Sequence, residues 1–227
     1  MPEIKHHAFA GAAAGRPWDA RLARWLVAPL KSSSITPNHL TTVRLGVGLA
    51  AAAAFMPGTY LWSNAAALLL ILSNFLDHTD GELARMSGKT SRFGHLYDLA
   101  SDAMVTVLLF VAIGIGIGTK SGVAFELPPA VLGAIAGSAI ALIFYLRMRI
   151  EELAGKAATR LGSFGGFETE DILYLMPLVT LCNGLMPLLV AASICAPLYA
   201  IWVVIDYRRV ARQPQPMTNQ PNSGVAQ

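Results

Sequence analysis

The chain has 227 residues, 54% of them hydrophobic and only 14% charged, with a formal net charge of +3. An ordinary soluble domain carries about 25% charged residues, so this composition argues against one. Long uncharged runs recur instead, which points to an all-α polytopic membrane protein, and no nucleic-acid partner is expected.

Residues 1–16 are rich in Ala and Gly, show no cleavable apolar core, and are expected to form a flexible N-terminus. Over residues 17–31, Trp18, Leu22, Trp25, Leu26 and Leu30 recur at helical spacing, with Asp19, Arg21 and Arg24 between them. That pattern predicts an interfacial amphipathic helix with tryptophan at headgroup level. A soluble helix packed on a core is the alternative.

Residues 32–210 are expected to form one membrane domain of six transmembrane helices. Ser32 to Asn38 reads as a helix start leading into a first span near 38–56, in which Arg44 lies close enough to the interface to snorkel. Pro57-Gly58 marks a turn. The second span runs from about Tyr60 to Met86 and the third from about Arg92 to Gly118. Pro128-Pro129 suits the start of a fourth span to Arg149, and spans near 172–185 and 187–206 follow, divided by Asn183-Gly184. Residues 211–227 are polar and Pro-rich and read as a disordered tail. Cys182 and Cys195 are expected to be buried free thiols.

Of the 17 Lys and Arg, all but Arg44 and Lys120 fall before the first span, about the second-to-third turn, about the fourth-to-fifth connection, or after the sixth. The positive-inside rule makes that face cytoplasmic, with both termini on it. Gly133, Gly137 and Ala141 on the fourth span, and Gly114 and Gly118 on the third, make small-xxx-small faces suited to close helix approach within a bundle or across a dimer.

The chemistry concentrates about the second-to-third turn. Asp77, Asp80, Gly81 and Ala84 fall on one face of a helix, and Gly94, Asp98 and Asp102 on one face of the next. A carboxylate at the bilayer centre costs about 2.5–3.5 kcal/mol, so these four aspartates call for neutralisation. A short linker is expected to set the helices antiparallel and adjacent, each pair facing the other. Oxygen-only ligands suit two magnesium or manganese ions, which can clamp a diphosphate. Arg85 is placed to reach a phosphate oxygen, and Asp102 is the candidate general base.

The run Asp77-x2-Asp80-Gly81-x2-Ala84-Arg85-x8-Gly94-x3-Asp98-x3-Asp102 resembles the signature of the CDP-alcohol phosphatidyltransferases at all eight positions. The resemblance extends to the six spans, the N-terminal helix, and the run Pro37-Asn38-His39-Leu40-Thr41 that opens the first span. It implies that an alcohol attacks the β-phosphorus of a CDP-linked donor, such as CDP-diacylglycerol, and that CMP leaves. It further implies that Asp77, Asp80 and Asp98 hold metal and that Asp102 is both ligand and base. Gly81, Ala84, Arg85, Ser91 and Gly94 would contact the cytidine diphosphate, with Pro37, Asn38 and Thr41 closing over it, in a homodimer of a bacterial inner membrane.

The run from Gly88 to Gly94 looks more like the inositol-phosphate-using branch of that family. Arg147, Arg149, Lys156 and Arg160 are candidates for a cationic acceptor pocket, against a reading as ordinary cytoplasmic charge. Glu168, Glu170 and Asp171 suit acceptor hydroxyls or a helix N-terminus, His78 and His95 a supporting role, and Glu82 and Tyr97 are expected to face away. A CDP-linked headgroup donor with a lipid alcohol acceptor is the runner-up reaction. A cation transporter, a prenyltransferase, which resembles this chain only in its Asp-rich motifs, and a catalytically dead scaffold are more distant alternatives.

Overall fold

A computed structural model describes residues 18–89, 91–121, 127–154 and 174–212. Every regular element among them is helical: α1 (Trp18–Val27), a 3-10 helix (Ala28–Ser32), α2 (Pro37–Phe55), α3 (Tyr60–Ser87), α4 (Arg92–Ser121), α5 (Pro129–Ala154), α6 (Met176–Leu181) and α7 (Leu185–Arg212). The expected flexible N-terminus and C-terminal tail lie outside the described residues, apart from Ala211 and Arg212 at the end of α7.

Helix ends follow local chemistry. Pro37 sits at the first position of α2, where its missing N–H costs nothing, and the Thr36 N–H donates to His39 Nδ1 at 3.3 Å. Thr59 caps α3 by accepting from the Trp62 N–H. Gly88 ends α3 in the left-handed region at φ 68°, a conformation that costs a glycine little. Residues 88–91 then separate α3 from α4, in keeping with the short linker expected.

Packing corrects one expectation at once. The expected α3–α4 partnership is not direct: among the described residues α2 packs on both helices and lies between them. Contacts place α2 and α4 parallel, since Gly48 of α2 meets Val105 while Asn38 meets Gly94. α3 runs antiparallel to both. Here α1 lies on α3, burying Ala23 and Val27 and leaving Leu22, Trp25 and Leu26 exposed.

Glycine sets the α4–α5 contact. A Cβ on Gly133 would run into the Phe110 carbonyl oxygen, one on Gly114 into that of Pro129, and one on Gly137 would come within 2.8 Å of the Val107 Cα. The small-residue faces therefore serve contact inside the bundle and give no grounds for a dimer. Gly118 is outside this seam, its nearest neighbour 4.0 Å away. The apolar core gathers Ala51, Phe55, Ala66, Leu70, Leu109 and Ile113 beneath the polar end.

Among the described residues, three helices are long and apolar enough to cross a membrane, over Phe93–Thr119, Pro129–Ala154 and Leu185–Arg212. With 19 and 28 residues, α2 and α3 reach about 28 and 42 Å at 1.5 Å per residue, but each carries a polar end. The predicted fifth span is represented among the described residues by α6 alone, six residues long and too short to cross. Cys182 and Cys195 are free thiols as expected, but both are exposed, because an apolar environment in lipid lies outside the bundle as well as within it.

Gly133→Ala is expected to destabilise the protein by about 1–3 kcal/mol through overpacking, read as a loss of several degrees in thermal unfolding in detergent. Gly118→Ala is expected to leave the transition where it is.

Candidate active site

The face of α2 that carries Thr41, Arg44 and Gly48 is buried and looks onto both aspartate-bearing helices. From α3 come Asp77 and Asp80, and from the first turns of α4 come Asp98 and Asp102. Oxygens of Asp77, Asp98 and Asp102 all lie within 4.8 Å of one another. Ligand oxygens on one octahedral magnesium ion stand up to about 4.2 Å apart, so this donor set fits a hard divalent cation after a small adjustment of side chains.

Asp80 is set apart from this triplet. It is buried, and its Oδ2 accepts a hydrogen bond of 2.7 Å from the Thr41 hydroxyl. Thr41, expected over a nucleotide, contacts a candidate metal ligand. Its hydroxyl is also 3.2 Å from the Pro37 carbonyl, a bond within its own helix.

Arg44 was legible in the sequence only as a snorkelling residue near the interface; the structure overturns that. The residue is 4% exposed, and its guanidinium lies among the aspartates. Nη1 pairs with Asp77 and stands 2.8 Å from Asp102 Oδ1, while Nη2 stands 3.0 Å from Asp98 Oδ1. Nη2 also donates to the Asp98 carbonyl at 3.3 Å. Depth along the helix suggested the interface, but rotation about the helix turns this side chain inward.

The remaining motif residues border this centre. Gly94 packs on the Asn38 side chain, which a Cβ would meet at 2.8 Å, and its N–H donates to the Ser91 hydroxyl at 2.9 Å. Gly81 is open apart from the Arg85 guanidinium at 3.5 Å. Arg85 is largely exposed and pairs with buried Glu82 at 2.9 Å, one turn from the aspartates. The Tyr97 hydroxyl lies 3.0 Å from that of Thr42, so Tyr97 faces α2 rather than away from it. His78 bonds the Asn74 carbonyl of its own helix at 3.0 Å.

Two of the four basic acceptor candidates are described, and the structure does not bring them together. Arg147 donates to the Tyr199 hydroxyl and lies over the Tyr199 and Trp202 rings, 5.7 and 5.8 Å from their centroids. Arg149 pairs with Glu152 on its own helix. Lys156 and Arg160 lie outside the described residues, as do Glu168, Glu170 and Asp171. A separate cavity of about 120 Å³, lined by Phe55, Ser63, Ile113, Thr180 and Asn183 among others, lies at the opposite end of the helices and contains none of these groups.

Helices that converge on a carboxylate cluster at one end of an apolar bundle define a class of integral membrane proteins with a polar, metal-fitting centre. The sequence profile of the CDP-alcohol phosphatidyltransferases matches residues 34–206, and the chain belongs to that family. Among its relatives, an archaetidylinositol phosphate synthase of Pyrococcus horikoshii is 36% identical over 88 residues, 38% of this chain and 45% of that protein. A phosphatidylinositol phosphate synthase of Corynebacterium glutamicum is 38% identical over 80 residues, 35% of each chain. A bifunctional IPC transferase and DIPP synthase of Rubrobacter xylanophilus is 29% identical over 144 residues, 63% of this chain and 29% of that one. The chain thus spans less than half the length of each of these relatives. The fold resembles that of the Mycobacterium tuberculosis phosphatidylinositol phosphate synthase with CDP-DAG bound, with a TM-score of 0.56 and 22% identity over 82% of this chain and 93% of that one.

Thr41→Val is expected to cost about 1.5–3 kcal/mol, because it withdraws the hydroxyl that bonds a buried carboxylate, while Thr41→Ser stays close to the parent. Thermal unfolding of the two variants side by side checks this.

Proposed function

We propose that this chain is a metal-dependent transferase that moves a phosphatidyl group from CDP-diacylglycerol to a phosphorylated polyol, with inositol phosphate the leading acceptor, and releases CMP. The observation that carries the reading is the convergence of Asp77, Asp98 and Asp102 oxygens within 4.8 Å, on residues in register with the family signature. The acceptor class draws support from relatives named as synthases of archaetidylinositol phosphate and phosphatidylinositol phosphate.

Asp77, Asp80, Asp98 and Asp102 are the residues that would hold two magnesium or manganese ions. Bound there, the ions would supply charge neutralisation for the diphosphate and its leaving group. In the reaction the acceptor oxygen forms a bond to the donor's β-phosphorus, the bond from that phosphorus to the bridging oxygen breaks, and CMP departs with the electron pair. Asp102 takes the proton of the attacking hydroxyl. Its side chain is 44% exposed, the most open of the three clustered aspartates, which leaves it within reach of a molecule arriving from water. Gly81, Ala84, Arg85, Ser91 and Gly94 line the approach to the aspartates as the nucleotide-binding rim, with Pro37 and Asn38 across from them on α2. Arg85 offers its guanidinium to a phosphate oxygen.

The proposed topology places six spans in the membrane, with α1 on its cytoplasmic surface. Support comes from helix direction: α5 and α7 both run toward the aspartate end, since Arg147 meets Tyr199 and both helices start near the end of α4. Ala154 and α6 thus stand at opposite ends of the bundle, α6 lying beside the start of α3, where Thr180 donates to Asn64 at 2.9 Å. Exposed Leu22, Trp25 and Leu26 give α1 an apolar outer face suited to lipid.

Purified protein with magnesium and CDP-diacylglycerol is expected to release CMP with inositol 1-phosphate, and not with glycerol 3-phosphate, serine or inositol. Chelation of the metal and Asp102→Asn should each reduce the rate by at least about a hundredfold, the lower range for loss of a general base. CMP release with none of these acceptors would shift the assignment to a CDP-linked headgroup donor. Full turnover by Asp102→Asn would remove Asp102 as the base.

A further inference from the structure

Arg44 is a cation built into the centre of the carboxylate cluster. Its surroundings give it little room. Ser73 donates to the Arg44 carbonyl at 3.1 Å, and one turn on, a Cβ at Gly48 would lie 2.8 Å from the Val105 side chain. The backbone of α2 is thus pressed close to α3 and α4 at this level, with the guanidinium projecting between them. Its planar fork reaches Asp77 and Asp102 through one nitrogen and Asp98 through the other. A single lysine ammonium has no such fork.

The carboxylates that Arg44 bridges are the same three whose oxygens converge. A guanidinium and a divalent cation sharing those oxygens would be like charges almost in contact. In a site shielded on one side by packed helices, that repulsion is large. By linkage, whatever Arg44 takes from cation affinity, a bound cation takes from the hold of Arg44 on the aspartates.

We propose that Arg44 is a resident counter-cation of the aspartate cluster, which holds Asp77, Asp98 and Asp102 together before a divalent cation binds and must yield carboxylate oxygens when one does. Cation loading is then an exchange and not a simple addition. Arg44 acts as a positioning residue: it keeps three mutually repelling carboxylates gathered without metal, and it tempers their affinity for metal. The inference rests on the metal-dependent reading above.

The test uses the full-length protein in detergent, with Mn²⁺ binding measured by the loss of the free-ion paramagnetic resonance signal and thermal unfolding measured with and without Mn²⁺. Arg44→Gln is expected to bind Mn²⁺ about tenfold more tightly than the parent, since one competing charge has been removed. Without metal it should unfold several degrees below the parent, and saturating Mn²⁺ should close most of that gap. A residue that merely supports the fold would lower stability equally with and without metal and would not raise affinity. If Arg44→Gln does not fold, Arg44→Lys carries the test, because an ammonium that cannot bridge all three carboxylates should raise Mn²⁺ affinity by a smaller factor. Unchanged or weaker Mn²⁺ binding in a folded variant overturns the proposal while leaving the metal site standing. Absence of Mn²⁺ binding by the parent and both variants overturns the metal reading itself, and this inference with it.

Discussion

Everything at the polar end of this molecule depends on holding carboxylates together where apolar helices begin and end. Asp77, Asp98 and Asp102 repel one another, and withdrawal from water raises the cost of each charge. Without metal the arrangement is held by Arg44, which enters from a helix that carries none of the aspartates. Asp80 is settled differently, through the Thr41 hydroxyl on the same face of α2. One helix thereby neutralises or hydrogen-bonds all four acidic groups, and the insertion of α2 between α3 and α4 is what lets it do so.

That insertion needs precise heights, and the packing below supplies them. Gly48 lets α2 close on Val105 of α4, and the glycine seam along Gly114, Gly133 and Gly137 locks α4 to α5. At the turn of the signature, Lys89 donates to the Ser33 carbonyl at 2.9 Å, tying the α3–α4 connection to the chain that leads into α2. Helix register and site geometry are therefore one property, and a methyl group in the seam acts on the same element that presents Asp98 and Asp102.

The starts and ends of α2 to α5 were legible in the sequence to within a few residues, because proline and glycine mark them: Pro37, Pro57-Gly58, Gly88 and Pro129. Three of the four aspartates converge where two helical faces and a short turn put them, but Asp80, expected to face the others, turns to the Thr41 hydroxyl. The neighbour relation was not legible. A short connection between α3 and α4 makes them antiparallel, but nothing in its length forbids a third helix between them. Arg44 was missed for a related reason. Its distance from the helix start suggested water, while its spacing of three from Thr41 and four from Gly48 put it on the inward face. Arg147 was read by charge alone, and its aromatic partners, Tyr199 and Trp202, stand on another helix. The fifth span was the least legible, with Pro177 and Asn183-Gly184 cutting the apolar run into the short α6.

The three clustered aspartates are between 30% and 44% exposed in their side chains, whereas that of Arg44 is 5% exposed. The centre thus has a dry cationic floor and a wet anionic mouth. Its flanks are helices such as α4, whose Phe93, Leu96, Met104 and Leu108 turn outward. Under the proposed function, a hydrophilic acceptor would arrive through the mouth, while an acyl-chain donor would slide in along the flank without ever leaving the oil. On that reading the two need not share a path or a solvent, and the protein would work as a seam between phases: neither reactant would have to dissolve where the other lives.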